Sequence, residues 1–225
     1  MATAEKSSKE NKSSRTAAKK TARASGTKSA AASSDARKKR AQAVASKSAA
    51  KKATSVSAKD DKSLSDLFEH ALGDTYYAEK KIYKSLPKMI KAADHPELVQ
   101  ALTSHREETA GQIEKLEAIF ELLGKRAKAE KCDAIDGILE ESESLLEDFG
   151  SSVAADAAII FSCQAIEHYE ITRYGSMRAF ADALGMDEAK QHIDDILAQE
   201  KAADASLTEL AEDSVNAAAS DYDEE

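Results

Sequence analysis

Four stretches of this chain repeat apolar residues at the 3.6-residue spacing of a helix, and each stripe is broken near its midpoint by an acid. The acids are Glu79, Glu108, Glu167 with Glu170, and Glu200, and His105 stands one turn before Glu108. A carboxylate turned toward a core is costly unless it is paired or bound to a cation. One such residue can be absorbed by a local partner. Four at one level constrain the fold and its contents together, because the helices must align their midpoints and something positive must lie between them.

The first stripe reads Leu64, Phe68, Leu72, Thr75, Glu79, Ile82, Leu86 and Ile90, with Ser63 or Ser65 as its cap and Asp66 in the first turn. Pro87 lies inside it and predicts a kink. Asp94-His95-Pro96 forms a turn, and Pro96 suits the first position of the next helix. That helix carries Leu98, Leu102, His105, Glu108/Thr109, Gln112, Leu116 and Ile119 up to a stop at Gly124. A shorter helix is expected from about Cys132 to Phe149. Gly150-Ser151-Ser152 then starts a third long helix, ending near Gly185, with Val153, Ala157, Ile160, Gln164, Glu167, Glu170, Tyr174 and Met177 facing the core. The last runs from about Met186 to Ala211 through Ile193, Ile196/Leu197, Glu200, Ala203/Asp204 and Leu207.

Four long helices joined by short turns within each pair make an all-α four-helix bundle, and the Cys132–Phe149 segment supplies one extra crossover helix between the pairs. One crossover is the ferritin-like topology. The midpoints of the four spans fall within about a residue of the acids, so paired antiparallel helices bring them to the same height. The bundle is expected over residues 63–214, after a disordered N-terminal tail, 1–62, and before an acidic, frayed C-terminus, 215–225.

The tail holds 17 Lys/Arg and 5 Asp/Glu, a net +12, which leaves −21 on the rest of a chain whose total is −9. It has too few large apolar residues to offset the entropy of ordering. Basic arms of this kind hold phosphates without reading sequence, and the densest cluster is Arg37, Lys38, Lys39 and Arg40. Nonspecific nucleic acid is therefore one partner to expect of the tail. A transit peptide, a solubilising arm and an arm folded back on the acidic body are the other readings. No apolar run reaches the roughly 18 residues of a membrane span, and two cysteines, Cys132 and Cys163, fit a reducing compartment. A soluble cytoplasmic protein without membrane contact is expected, nucleoid-associated if the tail binds DNA.

Clustered acids in an apolar bundle cannot all stay ionised without cations, and two divalent ions would offset four carboxylates. Carboxylates with one imidazole suit iron or manganese, whereas thiolates would suit zinc or iron–sulfur clusters. The candidate ligands are Glu79, His105, Glu108, Glu167, Glu170 and Glu200. Gln112, His168, Tyr174 and Asp204 are candidates to support them from behind, although His168 points roughly 100° away from Glu167 and is equally a surface residue. Cys163 reads as a small apolar filler.

Several stretches resemble a known family. They are Asp66-Leu67-Phe68, Asp74-Thr75-Tyr76-Tyr77-Ala78-Glu79-Lys80, Leu86-Pro87-Lys88 and His105-Arg106-Glu107-Glu108-Thr109 through Gln112-Ile113-Glu114. The most specific are Gln164-Ala165-Ile166-Glu167-His168-Tyr169-Glu170-Ile171 and Glu200-Lys201 with Asp204. From Ser63 to Ala211 the chain resembles the YciF/YciE-type bacterial stress proteins, a branch of the ferritin-like superfamily. The resemblance implies a ferritin-like bundle, a dinuclear metal site, a homodimer in many members and a place in the stress response, without an established reaction. The chain departs from the superfamily's usual Glu-x-x-His pattern, which occurs nowhere in it. It has His-x-x-Glu on the second long helix and Glu-x-x-Glu on the third, a more carboxylate-rich set.

The expected function is stress-response binding of two iron or manganese ions, with ferroxidase or peroxide-consuming activity as the reaction type. Glu108 and Glu200 would bridge the ions and Glu79 and Glu167 would be terminal. The alternative is a nucleoid-associated DNA-binding protein that uses the tail, with the bundle as a dimerising scaffold. A bundle whose site has lost its ions is a third reading.

Overall fold

The computed structural model describes residues 61–220, and every regular element among them is helical. They are α1 (Leu64–Ala92), α2 (Pro96–Leu122), α3 (Asp133–Phe149), α4 (Ala155–Leu184) and α5 (Asp187–Leu210), followed by a π turn at Ala211–Val215 and a last short helix, α6 (Asn216–Ser220).

Local chemistry sets these limits. Ser63 is the cap of α1: its hydroxyl accepts the Asp66 amide at 3.1 Å, and the Asp66 carboxylate accepts the Ser63 amide at 2.7 Å. Pro87 does not end α1, which runs on to Ala92. The proline is exposed, so the carbonyl that loses its helical partner there can bond water. Pro96 stands at the start of α2, and Gly124, at φ 68°, ends it in the left-handed conformation that glycine adopts without strain. Gly73 lets the α2–α3 connection press on α1: a Cβ there would meet Glu130 Cγ at 2.8 Å, and the Glu130 amide donates to the Gly73 carbonyl at 2.9 Å.

Two expectations are corrected. The third long helix opens at Ala155 rather than at 150–152, because Ser152 closes a turn: its amide donates to the Phe149 carbonyl, and its hydroxyl oxygen accepts from the Ala154 amide. Val153 is held outside that helix and is 50% exposed, not a core position. At the other end the chain stays helical through Ser220, past the expected limit at 214. The π turn places both Ala211 and Val215 inward, and their burial accounts for the extension.

The core falls into two apolar clusters. One gathers Ile82, Leu86, Leu98, Leu102, Ile159, Ile166 and Leu207; the other gathers Phe68, Leu72, Leu116, Ile119, Tyr174, Met177, Ile193 and Ile196. Read along the chain, α1 passes from the second cluster to the first, α2 and α4 from the first to the second, and α5 back again. Thus α2 and α4 are parallel, which requires one crossover between them, and α3 is that crossover. Each long helix packs on two antiparallel neighbours, in the cyclic order α1, α2, α5, α4, while α3 lies outside against α1 and α4. This is the ferritin-like four-helix bundle with an extra helix. Residues 1–60 of the tail, including Arg37, Lys38, Lys39 and Arg40, lie outside the described residues. Among those described, no helix is long and apolar enough to cross a membrane.

Candidate metal centre

The layer between the two apolar clusters is polar on all four long helices. α1 supplies Glu79, α2 supplies His105, Thr109 and Gln112, α4 supplies Glu167 and Glu170, and α5 supplies Glu200. The spacings explain the sharing of faces, since residues three, four or seven apart on a helix point the same way. Glu79 and Glu200 are fully buried, Glu170 and Glu167 nearly so, and His105 is 7% exposed. One donor atom each from His105, Glu167, Glu170 and Glu200 lies within 4.8 Å of the others. His105 Nε2 is 3.3 Å from Glu167 Oε1. Glu79 faces the same group from α1 and is held by the Tyr174 hydroxyl, which donates to its Oε1.

Burial is the largest influence on every group in this layer, and mutual repulsion adds to it. Glu79 is pushed up to about 8 by burial and then by the charge of Glu200. Glu167 rises to about 11 by burial and then by Glu200, and Glu170 rises well above the carboxylate range by burial and then by Glu79. Glu200 rises to about 7 by burial, with Glu167 and the Gln112 amide favouring its charged form. Burial lowers His105 to about 4, which keeps the imidazole neutral and its lone pair free.

Seven donor atoms in this layer are buried without any hydrogen-bond partner: Glu79 Oε2, both ring nitrogens of His105, Glu167 Oε2, both oxygens of Glu170, and Glu200 Oε2. Buried polar atoms are nearly always satisfied, so a convergent set of orphans points to a missing common partner. Oxygen-rich donors with one neutral imidazole fit a hard or borderline divalent cation. Three hydrogen bonds border this set: Tyr174 donates to Glu79, Gln112 donates to Glu200, and the Thr109 hydroxyl donates to the His105 carbonyl at 2.8 Å.

Not every candidate enters the tight group. Glu108 has a side chain 41% exposed, and its Oε2 is 3.9 Å from His105 Nδ1. Thr109, fully buried, takes the inward slot beside it, so Glu108 flanks the centre while Glu170 sits within it. His168 and Asp204 pair with each other at 3.2 Å, with side chains 69% and 22% exposed, on the outer side of the layer. Thr75 is fully buried, and its hydroxyl is directed at the Met177 sulfur at 3.4 Å; it stood in the first stripe, but no donor pattern marked it. Cys163 is buried, and its thiol is pushed far up by burial and then by Glu167. It stays protonated and packs its sulfur 3.7 Å from that of Met89.

Residues 63–220 match the family described as a domain of unknown function, DUF892. The chain belongs to that family. Within DUF892, the Escherichia coli (strain K12) protein YciF is 39% identical over 156 residues, which span 69% of this chain and 94% of that protein. The crystal structure of the E. coli stress protein YciF matches with a TM-score of 0.66, covering 69% of this chain and 99% of that one. YcfI from Rhodopseudomonas palustris is 42% identical and matches with a TM-score of 0.65 over 68% of this chain and 98% of that one. A protein from Xanthomonas campestris pv. campestris, 25% identical, matches with a TM-score of 0.56 over 71% and 98% of the two chains. The family so matched is the YciF-like stress proteins, and the shared bundle spans nearly the whole of each relative.

Proposed function

We propose that this protein is a stress-response metalloprotein whose bundle holds two iron or manganese ions at the layer formed by Glu79, His105, Glu167, Glu170 and Glu200. The observation that carries this reading is the set of seven buried donor atoms without partners, drawn from all four long helices. Glu79 and Glu200 each have one neutral partner, Tyr174 and Gln112, but neither supplies positive charge, and the acids otherwise face one another. Four buried carboxyls need about two divalent cations for neutrality, and a single ion would leave much of the repulsion in place.

When bound, such ions would supply one-electron redox chemistry, and oxidation of ferrous iron or consumption of peroxide is the reaction class that follows. The protein's own contribution is to hold the donors in place. Tyr174 orients Glu79, Gln112 orients Glu200, and an apolar cluster closes the layer at each end. The donor set favours iron or manganese over zinc, because neither thiol joins it. The test is metal content by mass spectrometry after purification without chelator. About two equivalents of iron or manganese per chain are expected, falling below half in a Glu167→Gln/Glu170→Gln variant that keeps its helical spectrum. Substoichiometric metal that is unchanged by those substitutions would refute the reading.

A further inference from the structure

A cavity of about 190 Å³ runs between α2 and α5 from the protein surface to the buried layer. Its walls combine the short side chains of Ala101, Ser104, Ala202 and Ser206 with Leu102, Leu207 and Gln199, and its inner end is His105 and Glu167. Both of these are more than nine-tenths buried, and each carries atoms with no hydrogen-bond partner. Glu108 lines the same cavity with its side chain 41% exposed. A second, shallower depression of about 160 Å³ adjoins it, sharing Ala101 and Ser206, and is rimmed by Glu97, Glu209 and Asp213. Ser104, Ala202, Ser206 and these three acids are all exposed.

We infer that the α2–α5 cleft is the entry port for a hydrated divalent cation, with Glu97, Glu209 and Asp213 as its outer acids and Glu108 as the relay to His105 and Glu167. This rests on the metal-centre reading above and adds the route. The space is large enough for an ion with part of its water shell, and apart from Glu108 the walls outside the buried end carry no charged side chain that would hold it on the way. Acids grade inward from an exposed rim, through the half-exposed Glu108, to the buried donors, so each step exchanges a few waters for one carboxylate. An acid rim also concentrates cations at the mouth and speeds their capture. The position of Glu108 follows from this: a carboxylate that must reach both water and His105 belongs on the flank of α2, not inside the layer.

The experiment is stopped-flow uptake of Co²⁺ by the full-length apoprotein, followed by cobalt visible absorption, with release measured by chelator challenge. Ala202→Phe and Ser206→Phe, at exposed positions that leave the core untouched, should slow association and release alike by about tenfold or more, leaving Kd within about twofold. That parallel change distinguishes a blocked route from a damaged site. Glu108→Gln should slow association, and the triple change Glu97→Gln, Glu209→Gln, Asp213→Asn should lower it about tenfold at low salt and little at high salt. Wild-type rates in both phenylalanine variants, with cobalt bound at wild-type stoichiometry, would overturn the port and leave the metal centre standing. Failure of the wild-type apoprotein to bind cobalt at all would overturn both. A helical spectrum and melting curve on each variant separate misfolding from blockage.

Discussion

The Tyr174 hydroxyl on α4 donates to Glu79 Oε1 on α1, across the centre of the bundle and between two antiparallel neighbours. It leaves Glu79 Oε2 as the oxygen without a partner, on a carboxyl that feels the charge of Glu200. A tyrosine at this place both closes one apolar cluster and decides which lone pairs of Glu79 remain available. Tyr174→Phe should therefore weaken metal binding about tenfold and cost the apoprotein about 1–2 kcal/mol through the unsatisfied carboxyl. Denaturant unfolding and metal titration check the two effects separately. Loss of stability with unaltered metal affinity would make the bond purely structural.

Substituting the acids themselves should act in the opposite direction on the fold. Glu79→Gln removes a group that burial and Glu200 disfavour as an anion, so the metal-free protein should gain about 1–3 kcal/mol at neutral pH. Its metal affinity should fall at least about tenfold. Unfolding curves with and without added Mn²⁺ report both. An apoprotein destabilised by the change would mark Glu79 as a core acid whose bond to Tyr174 outweighs its burial and repulsion.

The metal-free protein should lose stability as pH rises from about 4.5 to about 8. Four carboxyls have folded-state pKa values raised by burial, with Glu200 at about 7 and Glu79 at about 8. The folded chain keeps protons that the unfolded chain releases above about pH 4.5, so their contribution is complete below that pH and is lost as pH climbs. His105, lowered to about 4 by burial, acts oppositely, because unfolding lets it gain a proton below about 6.5. One imidazole against four carboxyls leaves the net slope negative. Thermal melts of chelated protein across this range check it; melting temperatures that rise steadily to pH 8 would contradict it.

Metal binding should release protons, because cations replace those held by the same carboxyls. Affinity for Mn²⁺ should then increase with pH over the window in which apo stability declines. Titration in two buffers of different ionisation enthalpy measures the proton count. A count of zero at pH 7 would mean that the acids are already ionised without metal.

Removing residues 1–62 should leave metal stoichiometry unchanged, since every candidate donor lies between Glu79 and Glu200. Metal analysis of the truncated chain beside the full chain decides this.

The bundle was legible because its signals are local and repeated. Apolar stripes of 3.6 spacing, the Ser63 and Asp66 pair, Pro96 and Gly124 each act within a few residues, and the structure places helix limits at them. The inward aim of Glu79, Glu167, Glu170 and Glu200 could also be read, since one apolar stripe per helix fixes a direction. The choice between Glu108 and its neighbour Thr109 could not, because both lie within one residue of the stripe. Only packing against α5 decides which one is inside. Val153 misled for a similar reason: its apolar side chain suits a first turn, but the Ser152 turn comes between. The π turn after α5 had no signal in composition, and the burial of Ala211 and Val215 appears only in three dimensions. The α2–α5 cleft was equally hidden, since small residues on two distant segments become a passage only when those helices face each other.

The central claim, a dinuclear centre held by acids from four helices, is tested most directly by anomalous diffraction from crystals grown with Mn²⁺ or Fe²⁺. Data collected on either side of the metal absorption edge should give two difference peaks within the layer bounded by Glu79, His105, Glu167, Glu170 and Glu200, with Tyr174 still bonded to Glu79. No peak in that layer at saturating metal, or peaks confined to the surface acids, would contradict the account.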